Sequence, residues 1–500
     1  MAEIDLLIRN ARVVRPGAPD ATEPEIQDIA VTDGVISAVA PGISVASATE
    51  VVDAQGRLAF PGAVDAHQHW GIYSELSEDT VSESRACAQG GVTTSLSYLR
   101  TGRYYLDRGG SYRDFVPAAL DRMAGRSYID HAIHLAPMTR EHIDEIPYLV
   151  EEFGITSFKI FMFYGGHGLH GRSADQAEFL MIPPGERYDL AHFEFVMRGL
   201  RRARERYGDV ITLSLHCETA EIMAAYTELV EREGVLTGLR AYSASRPPHS
   251  EGLAVTTASY LAHETGFPTI NLLHLSSAKA VDAALRMAKA FPHIDFRREV
   301  TIGHLLADVD TAHGIGGKVN PPLRERADVE ALWGHLLAGE IDWVVSDHAC
   351  CRDEQKFGVD REDVFLAKSG FGGAEYLLPG LVGEGMKRGL SPQHIARLTS
   401  WNPARRFGLT GKGDLAPGFD ADIALVDTGV NWTVRASDSE SAQEYSPFEG
   451  FDMTARVSDV FLRGQRILAE GRVEGEPRGR YLPRAIATES RSSRDGHGSR

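Results

Sequence analysis

Hydrophobic positions follow two rhythms along this chain. Through the middle, short apolar runs alternate with longer amphipathic stretches. The runs at 58–66, 92–98, 129–136, 156–162, 210–216, 269–275, 294–301 and 341–347 read as strands, and the stretches between them as helices. Such alternation implies a parallel sheet, because parallel neighbours need a crossover that a helix supplies. Eight repeats predict a (β/α)8 barrel, so the chain is α/β in class. Both ends differ from this. Runs at 6–8, 13–14, 28–31 and 35–39 are short, β-like and broken by turn residues, and runs at 421–426 and 457–462 repeat the pattern. Two β-rich ends around a different middle predict one small β-sandwich built from both termini. The expected division is residues 1–58 and 404–480 for the sandwich and 59–403 for the barrel. Residues 487–500, rich in Ser, Arg and Gly, read as a disordered tail.

Composition narrows the partners. A chain of 500 residues with 43% hydrophobic and 24% charged positions suits a soluble globular protein with a large core. Its net charge of −18 argues against nucleic acid or an anionic membrane, both of which attract basic surfaces. The start, Met-Ala-Glu-Ile-Asp, has no basic and apolar leader, and no run reaches the roughly 18 apolar residues of a membrane span. Four cysteines, Cys87, Cys217, Cys350 and Cys351, are too few for a disulfide framework in a chain this long. A cytoplasmic location follows as the expectation, with Cys350 and Cys351 as free thiols. The run Arg201 to Arg206 reads as the solvated face of a barrel helix.

A barrel places its chemistry where strands end, on the C-terminal face. The first strand ends in His67-Gln68-His69, and residues i and i+2 of a strand share a face, so both imidazoles can meet one ion. The fourth holds Lys159 inside an apolar run, the fifth ends in His216, the sixth in His274 and the eighth in Asp347. One strand-end histidine alone reads as a capped or solvated side chain, and Asp347 alone as a helix cap. Five strand ends carrying ligands together read as a site. An interior lysine loses its charge easily, and its free amine can add CO2 to give an anionic carbamate able to bridge two cations.

Taken in this order, the residues resemble the amidohydrolase superfamily, and within it the cyclic amidohydrolases: hydantoinase/dihydropyrimidinase, allantoinase and dihydroorotase. Phe158-Lys159-Ile160-Phe161-Met162 is similar to their carbamylated-lysine strand, and Ser346-Asp347-His348-Ala349 to their catalytic-aspartate motif. Asn320-Pro321-Pro322-Leu323-Arg324, Asn402-Pro403-Ala404, Pro417 to Asp422 and Ser446 to Gly450 also match, so the resemblance spans roughly residues 4–475. It implies two divalent ions, zinc in most such sites. His67, His69 and Asp347 would hold one, His216 and His274 the other, and carbamylated Lys159 both. It further implies a hydroxide shared by the ions as nucleophile, Asp347 as proton shuttle, and a homotetramer or dimer.

Substrate signals are fewer. Dihydroorotase carries an arginine two residues after its paired histidines, and here that position is Gly71, preceded by Trp70. Trp70 reads as core packing or as the wall of an apolar pocket, and either way the motif points to a neutral ring. Tyr164 falls five residues after Lys159, where hydantoinases carry a tyrosine that hydrogen-bonds the developing oxyanion. Ser369 stands where many of them have an asparagine against the ring, and Asn320 is a further substrate-binding candidate. The glycine-rich stretch after Tyr164, with His167 and His170, reads as a lid or pocket wall whose histidines are ordinary loop residues. The expected activity is opening of a cyclic amide, ureide or imide, hydantoinase-like, with allantoinase or another lactam or imide hydrolase as the alternative. A non-catalytic scaffold related to dihydropyrimidinase would have lost ligands that are intact here, and a mononuclear deaminase would not need Lys159.

Overall fold

A computed structural model describes residues 4–165, 168, 179–358 and 361–486. Eight strands, β1 (Ala63–Gln68), β2 (Val92–Leu99), β3 (Asp130–Leu135), β4 (Ser157–Phe161), β5 (Thr212–His216), β6 (Thr269–Leu272), β7 (Asp295–Thr301) and β8 (Trp343–Val345), lie side by side in chain order. All seven neighbouring pairs are parallel. A bridge from Gln68 to His348, just past β8, brings the two edges together into a barrel. Both faces of these strands are covered, so β2 and β4 are buried at every residue.

The outer helices show why the amphipathic stretches were legible. Asp189 caps the helix Leu190–Tyr207 by accepting from the N–H groups of Ala191 and His192. Phe193, Val196, Met197, Leu200 and Ala203 fall at helical spacing on its buried side. Arg201, Arg202 and Arg206 lie on the exposed side, the solvated face expected of them.

The first expected strand is in fact two. Leu58–Pro61 belongs to a different sheet from Ala63–Gln68, and the chain crosses between them at Gly62. A Cβ there would sit 2.2 Å from Thr93 Oγ1, so only glycine lets the chain pass so close to β2. One apolar run thus serves two sheets, which its hydrophobicity could not reveal.

The second sheet has nine strands drawn from both termini. Leu58–Pro61 is its junction, parallel to Ile4–Val13 on one side and antiparallel to Ile423–Asp427 on the other. Side chains alternate across it. Ile423 and Leu425 join Leu6, Ile8, Ile29 and Phe461 in a small separate core, whereas Ala424 and Val426 join the main core of the barrel. The chain then runs back under the barrel: Gly479 N–H donates to Ser127 O, Leu482 N–H to His131 O and Arg484 N–H to Gly154 O. Arg484 is buried there.

All four cysteines are free and buried. Among the described residues no helix is long and apolar enough to cross a membrane. His167, His170 and residues 487–500 lie outside the described residues.

Candidate active site

The C-terminal ends of the barrel strands bring all six expected ligands together. His67 and His69 at the end of β1 place their Nε2 atoms 3.2 Å apart. Asp347, two residues past β8, sets Oδ1 at 3.1 Å from His67 Nε2 and 3.3 Å from His69 Nε2. One ligand atom from each of the three falls within 4.8 Å of the others. Lys159 Nζ lies 3.0 Å from His67 Nε2, between the rings of Tyr98 and Phe161 at 4.1 and 4.3 Å. His216 and His274 meet edge to face with ring centroids 4.2 Å apart, and His274 is 5.3 Å from His67.

The donor chemistry fits metal ions. Both ring nitrogens of His274 are buried without a hydrogen-bond partner, a costly arrangement that a cation would relieve. Burial pushes the imidazoles of His67, His69 and His274 far down and that of His216 to about 4, which keeps them neutral with lone pairs available. Burial also draws the Lys159 amine down to about 7, against the pull of Asp347 and Glu299. The carboxyl of Asp347 is pushed up to about 6 by burial and moderated by Lys159. Two ligands sit on unusual backbone: φ is 33° at His274 and 54° at Asp347, in the left-handed region that non-glycine residues avoid.

Residues that the sequence reading did not single out hold these ligands. Glu299 on β7 meets His67 Nδ1 at 2.8 Å and accepts the N–H of His274 at 3.1 Å and that of the Trp343 indole at 2.8 Å. Tyr105 meets His69 Nδ1 at 2.9 Å. Glu218 takes His216 Nε2 at 2.6 Å, which leaves Nδ1 as the nitrogen for an ion. Burial alone would lift the Glu218 carboxyl, but Arg246 and His216 hold it well below the usual carboxylate range.

Over this centre lies a pocket that opens toward solvent. Tyr164, Asn320 and Ser369 line it together with Lys159, His216 and Asp347. Trp70 does not: its indole is 1% exposed and packed in the main core, near His131. It follows His69 by one residue, in the turn that leaves β1. At Gly71 φ is 80° and a Cβ would lie 2.9 Å from Leu76 Cβ, so this position is a tight turn.

The model of the amidohydrolase family matches residues 200–467. An allantoinase of Rubrobacter xylanophilus is 34% identical over 488 residues, covering 96% of this chain and 98% of its own. The chain belongs to the amidohydrolase family. A D-phenylhydantoinase of Escherichia coli is 30% identical over 490 residues, again covering 96% of this chain and 98% of its own. A solved D-hydantoinase structure superposes with a TM-score of 0.83 at 26% identity over 97% of this chain and 99% of its own. The amidohydrolase match covers β5 to β8 and most of the C-terminal strands of the outer sheet, so it includes His216, His274 and Asp347. His67, His69 and Lys159 lie before it and are joined to the same centre by the fold.

Proposed function

We propose that this amidohydrolase opens a neutral cyclic amide, ureide or imide, in the manner of a hydantoinase or dihydropyrimidinase. The observation that carries the reading is Lys159, buried 3.0 Å from His67 Nε2 at the floor of a cavity that it shares with His216, His274 and Asp347. His67, His69 and Asp347 would hold one ion, His216 and His274 a second, and a carbamate on Lys159 would join them. Zinc suits this set of imidazole and carboxylate ligands. When bound, such ions polarise the scissile carbonyl and acidify water.

The chain's own residues supply the rest. Asp347, with a carboxyl raised to about 6, takes a proton from the attacking water and delivers it to the leaving ring nitrogen. Burial raises the Tyr164 phenol, so it keeps its proton and donates to the carbonyl oxygen as negative charge develops. Phe161, Phe163, Ile72 and Val319 give the cavity apolar walls that exclude bulk water. A neutral ring is favoured because, among the described lining residues, Lys159 is the one lysine or arginine. The same reading carries a homotetramer or dimer, measurable by light scattering.

Metal analysis and a turnover screen test this together. Close to two ions per chain and hydrolysis of at least one of hydantoin, dihydrouracil, allantoin, succinimide or an aryl-substituted imide are expected. Allantoin belongs in the screen because of the allantoinase relative. Lys159→Ala should retain at most one ion. Full activity with one ion in that variant overturns the binuclear reading, and no ions with no turnover favours a non-catalytic scaffold.

A further inference from the structure

A second cluster of ligating side chains lies apart from the candidate active site and takes no part in the reaction above. Asp79 and Glu83 are one turn apart on the helix Leu76–Gln89, and Cys350 follows the end of β8 by five residues. One ligand atom from each lies within 4.8 Å of the others, and all three residues are buried. The active-site ligands include no sulfur, so the two clusters differ in chemistry.

The Asp79 carboxyl points to a ligand. Its Oδ2 accepts the N–H of Gly71 at 2.7 Å, in the turn that follows β1. Its Oδ1 is buried and has no hydrogen-bond partner among the described residues, although the residue is only 1% exposed. Ionised, that oxygen calls for a donor or a cation; protonated, it calls for an acceptor. It has neither, and a cation shared with Glu83 and Cys350 satisfies it.

Such an ion needs a lone pair on Glu83, and hydroxyl rotation supplies one. Glu83 Oε1 accepts from Ser82 Oγ at 2.6 Å and from the N–H of Ala442 at 3.1 Å. Its Oε2 accepts from His348 Nε2 at 2.6 Å and from Ser441 Oγ at 2.5 Å. Each serine has one proton and a second acceptor in reach, Glu78 O at 3.2 Å for Ser82 and Cys350 Sγ at 3.8 Å for Ser441. Turning either hydroxyl opens a position on Glu83 and leaves its bond to His348 in place. Ser441 and Ala442 are half-buried, so an ion can reach the site from their side.

We propose that Asp79, Glu83 and Cys350 form a further metal site, for a borderline-soft divalent ion such as zinc. Two carboxylates and a thiolate call for a divalent ion, and the sulfur disfavours magnesium and calcium. As the metal–sulfur bond forms, the Cys350 thiol proton leaves to solvent. The ion pins the helix Leu76–Gln89 to the segment that follows β8, and through Asp79 it holds the turn after His69. Because binding must displace that proton and turn a hydroxyl, this site fills in excess metal, after the two ions proposed for the active site.

Titration of Co2+ into stripped full-length protein tests this, because a thiolate on cobalt gives a charge-transfer band that imidazole and carboxylate ligands do not. The wild type should take up a further equivalent after the first two, with the sulfur band growing in that step and the melting temperature rising with it. Cys350→Ser should lose both the band and the further equivalent. Asp79→Asn, which can still accept from Gly71, should keep the band and weaken that step by at least about tenfold. Lys159→Ala should keep the band, so failure of the active-site pair and failure of this site are told apart. A wild type with no sulfur band in excess cobalt overturns the proposal, and so does a band that survives in Cys350→Ser. If Cys350→Ser does not fold, Asp79→Asn decides: wild-type affinity for the further equivalent overturns the site.

Discussion

Glu299 Oε1 lies 2.8 Å from His67 Nδ1, and the same oxygen accepts the backbone N–H of His274. One carboxylate on β7 therefore orients a ligand of the first proposed ion and anchors the backbone of a ligand of the second. Glu299→Leu should weaken metal binding by about 10- to 100-fold, the usual cost of removing such a support. Glu299→Gln, which still accepts, should fall between the two. Titration of metal into stripped protein measures both. Equal affinity in all three would show that Glu299 only fills space.

Backbone strain at Asp347 predicts a trade between stability and activity. At φ 54° a side chain is disfavoured and glycine is not. Asp347→Gly should abolish turnover and yet stabilise the metal-free protein by about 1 kcal/mol. Urea unfolding of stripped samples reads this directly, and a less stable variant would refute the strain.

Acid sensitivity has a source away from the metal centre. His131 on β3 is buried, and burial pushes its imidazole down to about 4, against the pull of Asp130. The unfolded chain binds this proton below its ordinary value of 6.5, whereas the folded chain resists until about 4. Stability is therefore full above pH 6.5 and lost as pH falls toward 4, by about 3 kcal/mol in all. His131→Gln should lessen the slope of the unfolding free energy between pH 7 and 5, the other buried histidines supplying the rest. A slope unchanged from the wild type would place the sensitivity elsewhere.

The segment under the barrel is closely fitted. A Cβ on Gly479 would lie 1.7 Å from Ile129 O, a backbone atom. Gly479→Ala should lower the melting temperature by several degrees, equivalent to about 1–3 kcal/mol, with KM unchanged because the cavity is at the opposite end. A melting temperature equal to that of the wild type would mean the segment detaches at little cost.

What was legible in the sequence follows from where its constraints act. His67, His69, Lys159, His216, His274 and Asp347 were readable because a barrel brings strand ends to one face, and polar residues there stand out against apolar runs. Glu299 was not, since it sits in Asp295-Phe296-Arg297-Arg298-Glu299, where charges are frequent and only tertiary contact shows which one turns inward. Tyr105, Glu218 and Arg246 lie in loops or at a helix end, and no periodicity marks them. Trp70 failed as a pocket residue because it lies in the turn just past β1 and packs into the main core, which the sequence pattern does not show. The split of the run 58–66 depended on Thr93, a neighbour known only from the fold.

The nine-stranded sheet has a consequence for biosynthesis. Leu58–Pro61 must wait for its partner Ile423–Asp427, some 360 residues later in the chain. At ~5–20 residues per second this leaves an unpaired strand edge on the ribosome for roughly 20–70 s. During that interval the nascent chain presents a bare β edge, the kind of surface that recruits chaperones or other strands. Truncations ending before residue 423 should therefore aggregate even where every metal ligand is present, because the last strands act as a lid on a sticky intermediate as well as a support for the barrel.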